Sequence, residues 1–369
     1  MKIPFLSLKE SNSLVKEDIV NSFKQILDLD WYILGDFVEK FENDFKKFNN
    51  VNHCIGVGNG LDALIISLKS LGVGIGDEVI LPANTFIATA LSVSFVGAKP
   101  VLVEPSCKTY NIKAKGIESA ISKKTKAIIP VHLYGQACEI IPIIELAKTY
   151  KLDVVEDNAQ SQGAKYCGQP TGSFGSINAT SFYPGKNLGA MGDAGAITTN
   201  NEELANKARL FRNYGSTQKY LHEVKGQNSR LDELQAAVLV HKLRYLNKWN
   251  EQRVNIADYY DANLKGVGDL ILPEVAEGCT HIYHLYVVRT KSRDKLKDYL
   301  SSKGIQTLIH YPLPIHLQEA YKELGHKTGD FPVTEELSQT SLSLPVYYGL
   351  TEQQLEYITD SIKTFFNNE

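Results

Sequence analysis

Sulfur and indole are scarce in this sequence. Among 369 residues there are two methionines, two tryptophans and five cysteines. The cysteines, Cys54, Cys107, Cys138, Cys167 and Cys279, are odd in number, widely scattered and never arranged as C-x-x-C. That argues against a disulfide framework and a zinc site, and for a reducing, cytoplasmic compartment. His281 with His284, and His310 with His316, have ligand-like spacing, but lacking cysteine or acidic partners nearby they predict no metal centre. No run of about eighteen apolar residues occurs, so no membrane span is expected. The apolar stretch in MKIPFLSLKESN is too short for a signal peptide. Neither sign of charge dominates: 39 basic residues face 42 acidic ones, for a net charge of −3. Nucleic acid and anionic membranes are therefore not expected partners, and any anion site must be local.

What is present is an alternation. Short apolar runs at His53–Val57, Glu78–Leu81, Pro100–Val103, Lys126–Val131 and Asp153–Glu156 are separated by helix-like segments at Leu61–Leu71, Thr85–Val96 and Ile140–Tyr150. This predicts parallel strands with helices on both faces. A further strand is expected at Ala194–Thr199, then a helix from Glu202 to about Arg212. The first fifty residues read as two short helices separated by Leu34-Gly35-Asp36, the second with Phe37, Phe41, Phe45 and Phe48 on one face. A long helix is expected from Ser229 to about Tyr260, with Ser229 and Asp232 in capping-box spacing. A second alternation follows: a strand at His281–Arg289, a helix from Arg293 to about Ser302, and a last helix at Glu352–Phe366. The boundary falls in the long helix, dividing the chain into 1–245 and a smaller α/β domain of 246–369.

Ligands of open parallel sheets bind beyond the carboxyl ends of the strands, so residues just after the strands carry the information. The segment Gly56-Val57-Gly58-Asn59-Gly60-Leu61-Asp62-Ala63 leads from a strand into a helix whose first amides suit a phosphate. Gly58 to Ala63 also fits G-x-G-x-x-A, but the next strand ends in Leu81-Pro82-Ala83-Asn84, without the acid that holds a dinucleotide ribose. A plain linking turn is the alternative. Phe86 stands where it can stack on a planar ring, or serve as a core residue of the next helix. Asp157 ends an apolar strand, where a carboxylate is costly unless paired. A cationic ring nitrogen is one partner, and capping of the next turn is another use. Gln160 faces the same way if a helical turn begins there.

The stretch Ser181–Gly195, SFYPGKNLGAMGDAG, holds a single lysine. Pro184 and Gly185 turn the chain before Lys186, and the glycines after it leave little side-chain bulk. An amine held there and partly desolvated becomes a nucleophile. A solvated loop lysine is the plainer alternative. Ser181 offers a hydroxyl to a phosphate. The loop is not a Walker motif, because Asn187 follows Lys186 and Thr180 replaces the first glycine. A phosphate site, an aromatic platform, a carboxylate for a ring nitrogen and an amine for an aldehyde together describe pyridoxal phosphate.

VGNGLDAL, NTFIAT, EDNAQ, SFYPGKNLG with GDAG, and NSRLDELQAA occur in this order. The pattern resembles the DegT/DnrJ/StrS-type sugar aminotransferases over almost the whole chain. The resemblance implies an α/β fold of the fold-type I (aspartate aminotransferase-like) class, with a mostly parallel seven-stranded sheet and a smaller C-terminal α/β domain, working as a homodimer. It implies that Lys186 holds the cofactor aldehyde, Asp157 pairs with the ring nitrogen, Gln160 bonds the ring hydroxyl and Phe86 stacks on the ring. Gly60, Leu61 and Ser181 would hold the phosphate, with Asn228 reaching it from the other protomer. L-Glutamate would be the amino donor and a nucleotide-linked keto-sugar the acceptor.

The NGLDAL form resembles the carbon-3 enzymes, which favours a dTDP-3-keto-6-deoxyhexose; carbon-4 keto-sugars and keto-inositols are the alternatives. Lys219, in a donor-rich loop, is a candidate for the diphosphate. Tyr183, His310 and Tyr311 are candidates for the sugar. Relatives that dehydrate sugars carry His at the lysine position, so Lys186 argues against that reaction. A non-catalytic regulator would have lost cofactor groups, and none is lost here.

Overall fold

The computed structural model describes residues 1–368. Its centre is a seven-stranded sheet: β1 (His53–Val57), β2 (Glu78–Pro82), β3 (Lys99–Val103), β4 (Thr125–Ile128), β5 (Asp153–Asp157), β6 (Ile177–Ser181) and β7 (Gly195–Thr199), in the order β1-β7-β6-β5-β4-β2-β3. Only β7 runs against its neighbours, pairing antiparallel with β1 and β6. The other pairs are parallel. Both faces of the sheet are covered, so β1, β2 and β5 are buried at nearly every position. That is why they read as continuous apolar runs.

Strand β6 was not expected. Its sequence, Ile-Asn-Ala-Thr-Ser, is weakly apolar, yet Asn178 and Thr180 are buried. Asn178 Nδ2 donates to the carbonyls of Gly172 (2.9 Å) and Thr198 (3.1 Å), which offsets the cost of burying the donor end of its amide. The strand matters because the lysine loop leaves the sheet at its end and returns through β7.

Three expected elements differ. The first fifty residues hold three helices, Lys9–Ser13, Lys16–Leu29 and Asp36–Phe48. The long helix is two, Glu233–Leu243 and Leu246–Leu264, separated by a tight turn in which Tyr245 N donates to Lys242 O (3.0 Å). Ser229 caps nothing in that helix, and Asp232 occupies the cap position without a side-chain bond. Glu233 instead serves the helix Asp36–Phe48, whose cap residue Gly35 has no side chain. The Glu233 carboxylate accepts from the amides of Gly35 (2.7 Å), Phe37 (3.0 Å) and Val38 (3.1 Å). The strand expected at His281–Arg289 is confined to β8 (Tyr286–Arg289), paired with β9 (Ser341–Leu344). Residues before it bond the turn Leu133–Gly135, with Ile282 N donating to Gly135 O (2.9 Å) and Leu285 N to Tyr134 O (3.1 Å).

A second core forms around β8 and β9. Tyr260, Tyr286, Leu296, Leu300, Ile358 and Ile362 pack there with Ile3. Ile3 arrives from the other end of the chain, its N donating to Gly304 O (2.8 Å) and its carbonyl accepting from Gln306 N (3.0 Å). Ile315, Tyr321 and Phe331 pack instead with the core of the large sheet. Among the described residues no helix is long and apolar enough to cross a membrane.

Candidate active site

The carboxyl ends of β1, β2, β5 and β6 deliver the expected residues to one edge of the sheet. β5 ends in two consecutive acids, and alternation sends them to opposite faces. Glu156 is fully buried and spent on structure: it accepts from the amides of Gly172, Phe174 and Gly175 at 2.6–2.8 Å and pairs with His132 Nε2 at 2.8 Å. Asp157 is also buried, but with a lighter set of partners. Its Oδ2 accepts from Thr89 Oγ1 (2.9 Å) and its Oδ1 from Ala159 N (3.1 Å). Burial pushes its carboxyl upward, while the bonds from Thr89 and Ala159 and the charges of Lys186 and His132 pull it back.

Lys186 is half-buried, and its amine has no hydrogen bond or ion pair among the described residues. Burial pushes it down to about 8, with Asp157 acting in the opposite direction. Behind it, Asn187 Nδ2 donates to Asn250 Oδ1 (2.8 Å) and Ile282 O (3.3 Å), and its Oδ1 faces His284 Nδ1 (3.2 Å). Burial and the nearby charge of Lys186 push His284 well down and His310 down to about 4, so both imidazoles stay neutral at physiological pH.

Gly60 begins the helix Gly60–Ser70, which Asn59 caps by accepting from Asp62 N (2.8 Å). That leaves the amides of Gly60 and Leu61 as orphan first-turn donors. A Cβ on Gly60 would lie 3.1 Å from Ser181 Oγ, so the helix start and the Ser181 hydroxyl share one concave spot. Ser229 Oγ accepts from Gly58 N (3.0 Å) and braces the same turn.

Gln160 lies in a turn, not a helix, and both ends of its amide are committed: Oε1 accepts from Tyr134 N (2.6 Å) and Nε2 donates to Tyr311 Oη (3.1 Å). Phe86 caps the helix Ile87–Phe95 and is 52% exposed, which removes the core-residue alternative; its ring lies 5.4 Å from that of Tyr311. His310 Nδ1 meets Ser343 Oγ at 2.8 Å, and its carbonyl accepts from Tyr134 Oη.

The remaining candidates stand apart from this cluster within one chain. Tyr183 is exposed beside the lysine loop, its N donating to Ser181 Oγ (3.3 Å). Lys219 sits at the turn of an exposed hairpin, Ser216–Gln218 with Leu221–His222, its Nζ over the ring of Tyr220 at 5.3 Å from the centroid. Asn228 is exposed, and its side chain has no hydrogen-bond partner among the described residues.

A buried carboxylate, an unpaired amine with depressed basicity and an anion-ready helix start lie on one sheet edge. The sequence profile of the DegT/DnrJ/EryC1/StrS aminotransferase family matches residues 13–363. The chain belongs to that family. It is 47% identical, over 98% of its length and 99% of the relative's, to the dTDP-3-amino-3,6-dideoxy-alpha-D-galactopyranose transaminase of Aneurinibacillus thermoaerophilus. It is 46% identical, over the same shares, to the erythromycin biosynthesis sensory transduction protein EryC1 of Saccharopolyspora erythraea. The crystal structure of S. venezuelae DesV superimposes with a TM-score of 0.97 at 43% identity, covering 99% of this chain and 98% of that one. Like the family, the chain is a pyridoxal-phosphate-dependent transaminase.

The residues present fit that cofactor. The close approach of Gly60 to Ser181 makes a cradle that any larger residue at position 60 would fill. The donors there are two amides and a hydroxyl, which suit a phosphate. Asp157 has only hydroxyl and amide donors as hydrogen-bond partners among the described residues, and the Lys186 amine has none there. Residues that sequence reasoning did not place in this site are Thr89, Tyr134, Asn187 and His284. All are ordinary residue types whose importance lies in contacts 26 to 97 positions away.

Proposed function

We propose that this enzyme moves the amino group of L-glutamate onto carbon 3 of a dTDP-linked 3-keto-6-deoxyhexose, as a cytoplasmic homodimer with shared active sites. The observation that carries the chemistry is the unpaired, half-buried Lys186 facing the buried Asp157. The choice of sugar is supported by the dTDP-3-amino-3,6-dideoxyhexose for which the Aneurinibacillus relative is named. The homodimer is supported by exposed Leu27, Leu29, Trp31, Tyr32, Ile33 and Leu234 around the Ile33–Asp232 bridge, an apolar patch that calls for a cover. The cytoplasmic location is supported by five free cysteines.

Pyridoxal phosphate, when bound, supplies an aldehyde that takes the amino group and a ring that withdraws electrons from the α-carbon. The chain's residues do the rest. Lys186, its basicity lowered by burial so that a usable share of the amine is neutral near pH 8, would hold the aldehyde and move the proton at the α-carbon of the donor. Asp157 holds a proton on the ring nitrogen. Gln160, its Oε1 held by Tyr134 N and one Nε2 hydrogen by Tyr311 Oη, has a second Nε2 hydrogen for the ring hydroxyl. Phe86 covers the ring face. Gly60, Leu61 and Ser181 bind the phosphate, joined by Asn228 from the other protomer. Lys219 binds the sugar diphosphate, and Tyr183, His310 and Tyr311 border the sugar. The sensory name of one relative raises a regulatory reading, which the retention of both Lys186 and Asp157 disfavours.

The test is chemical. Borohydride treatment of the yellow purified protein should fix the cofactor on Lys186, and turnover should be fastest with a dTDP-3-keto-sugar among dTDP- and UDP-linked acceptors. A label on any other lysine overturns the site. Preference for a 4-keto-sugar or a keto-inositol overturns the substrate.

A further inference from the structure

One contact to the buried acid comes from a residue with no assigned part in the reaction. Thr89 is the third residue of the helix Ile87–Phe95 and is 1% exposed. Its Oγ1 lies 2.9 Å from Asp157 Oδ2 and 3.0 Å from Thr85 Oγ1, and Thr85 is buried as well. An ionised carboxylate only accepts, so Thr89 must donate its one proton to Asp157. Thr85 must then donate to Thr89. The order is one-way: Thr85 hydroxyl to Thr89 hydroxyl to carboxylate. Ala159 N holds the other oxygen from the turn after β5, so the plane of the carboxylate is set from two sides.

We propose that Thr89 is a positioning residue that sets the orientation and charge state of Asp157, with Thr85 acting through it. The use made of that charge, pairing with the cofactor ring nitrogen, rests on the function proposed above. Burial favours the neutral acid, and donated hydrogen bonds favour the anion. The titratable groups that face Asp157 are Lys186 from the lysine loop, His132 from the turn after β4 and Tyr311 from the segment beyond β8. Thr89 and the backbone amide of Ala159 are donors whose contributions do not depend on their protonation, and Thr89 is the side chain of the two. Its helix also begins at Phe86, so the ring platform and the holder of the ring-nitrogen acid sit on one turn of chain. A shift of that turn would move both together.

The experiment uses Thr89→Val, Thr89→Ser and Thr85→Val. Carboxyl-labelled aspartate in the cofactor-free protein is titrated by carbon NMR, with Asp157→Asn identifying the signal. Thr89→Val should raise the Asp157 midpoint by about one to two pH units, the size expected for losing a hydrogen bond to a charged group. Thr85→Val should raise it less, and Thr89→Ser should leave it near wild type. In a parallel cofactor titration at pH 8, Thr89→Val should bind pyridoxal phosphate about tenfold more weakly and Thr89→Ser normally. An unmoved midpoint in Thr89→Val overturns the proposal. If that variant does not fold, an unmoved midpoint in Thr85→Val together with a raised one in Thr89→Ser does the same. A raised midpoint with unchanged cofactor affinity upholds the role of Thr89 and removes Asp157 from the ring nitrogen.

Discussion

A side chain at position 60 cannot coexist with Ser181 where it stands: a Cβ on Gly60 would lie 2.5 Å from Ser181 Cβ. Gly58, two residues earlier, has more room, with Ser229 Oγ nearest at 3.3 Å. Gly60→Ala should therefore cost about 1–3 kcal/mol of stability and weaken cofactor binding at least tenfold. Gly58→Ala should bind within about twofold of wild type. Cofactor titration and thermal melting of both variants check this. Tight binding by Gly60→Ala would place the phosphate elsewhere.

The lysine loop should carry a pH signature. In the cofactor-free protein Lys186 loses its proton near pH 8, against about 10.4 in an unfolded chain. Between those values the unfolded state binds more protons, so stability rises with pH across that window. Lys242 adds to the same slope: it too is pushed down to about 8 by burial, its Nζ donating to Gly189 O (2.8 Å). Urea unfolding between pH 7.5 and 10.5 should show a shallower rise in Lys186→Met and in Lys242→Met than in wild type. Parallel curves for Lys186→Met and wild type would mean that its amine is not desolvated.

Lys219→Ala should raise the KM for the sugar nucleotide and leave the glutamate half-reaction nearly unchanged, because an exposed hairpin lysine contributes only ground-state binding. Separate kinetics of the two half-reactions provide the check. Equal loss in both would bring Lys219 to the cofactor.

Asn228→Asp should weaken cofactor binding by setting a carboxylate against the phosphate, and Lys186→Ala should be inactive for want of the amine. In a mixed dimer with shared sites, one site carries both lesions and the other neither. Co-expression of the two variants should then restore up to about half of wild-type activity per heterodimer. Heterodimers that form yet stay inactive would confine Asn228 to its own protomer.

Much of the sheet could be read from the chain because its strands are buried on both faces. His53–Val57 is a strand over the whole apolar run, and Asp153–Glu156 extends by one residue to Asp157. β6 was hidden because it buries polar side chains, with Asn178 Nδ2 and Thr180 Oγ1 hydrogen-bonded, where a fully apolar run would have marked a strand. The break at Arg244-Tyr245 was hidden because neither residue is a helix breaker; Tyr245 stacks on Trp249, with ring centroids 6.0 Å apart. At the site, Lys186 and Asp157 were legible because a lone amine among glycines and an acid at a strand end are chemically conspicuous. Thr89 was not. A threonine in a helix acquires meaning only when β5 brings an acid from 68 positions away. Ser229 misled in the opposite sense: its spacing to Asp232 suited a local cap, but its hydroxyl serves Gly58.

The strand-like pairing of Ile3 with Gly304 and Gln306 also dictates an order of events in time. Phe5 N donates to Gln306 Oε1 across a separation of 301 residues. During synthesis the first residues must wait for that length of chain before their partners exist. The large sheet, complete by Thr199, can assemble long before then. The second core cannot close until its last helix, Glu352–Asn367, has left the ribosome. The strands that carry Asp157 and lead to Lys186 can thus exist before the seam between Ile3 and Gly304 has both its sides.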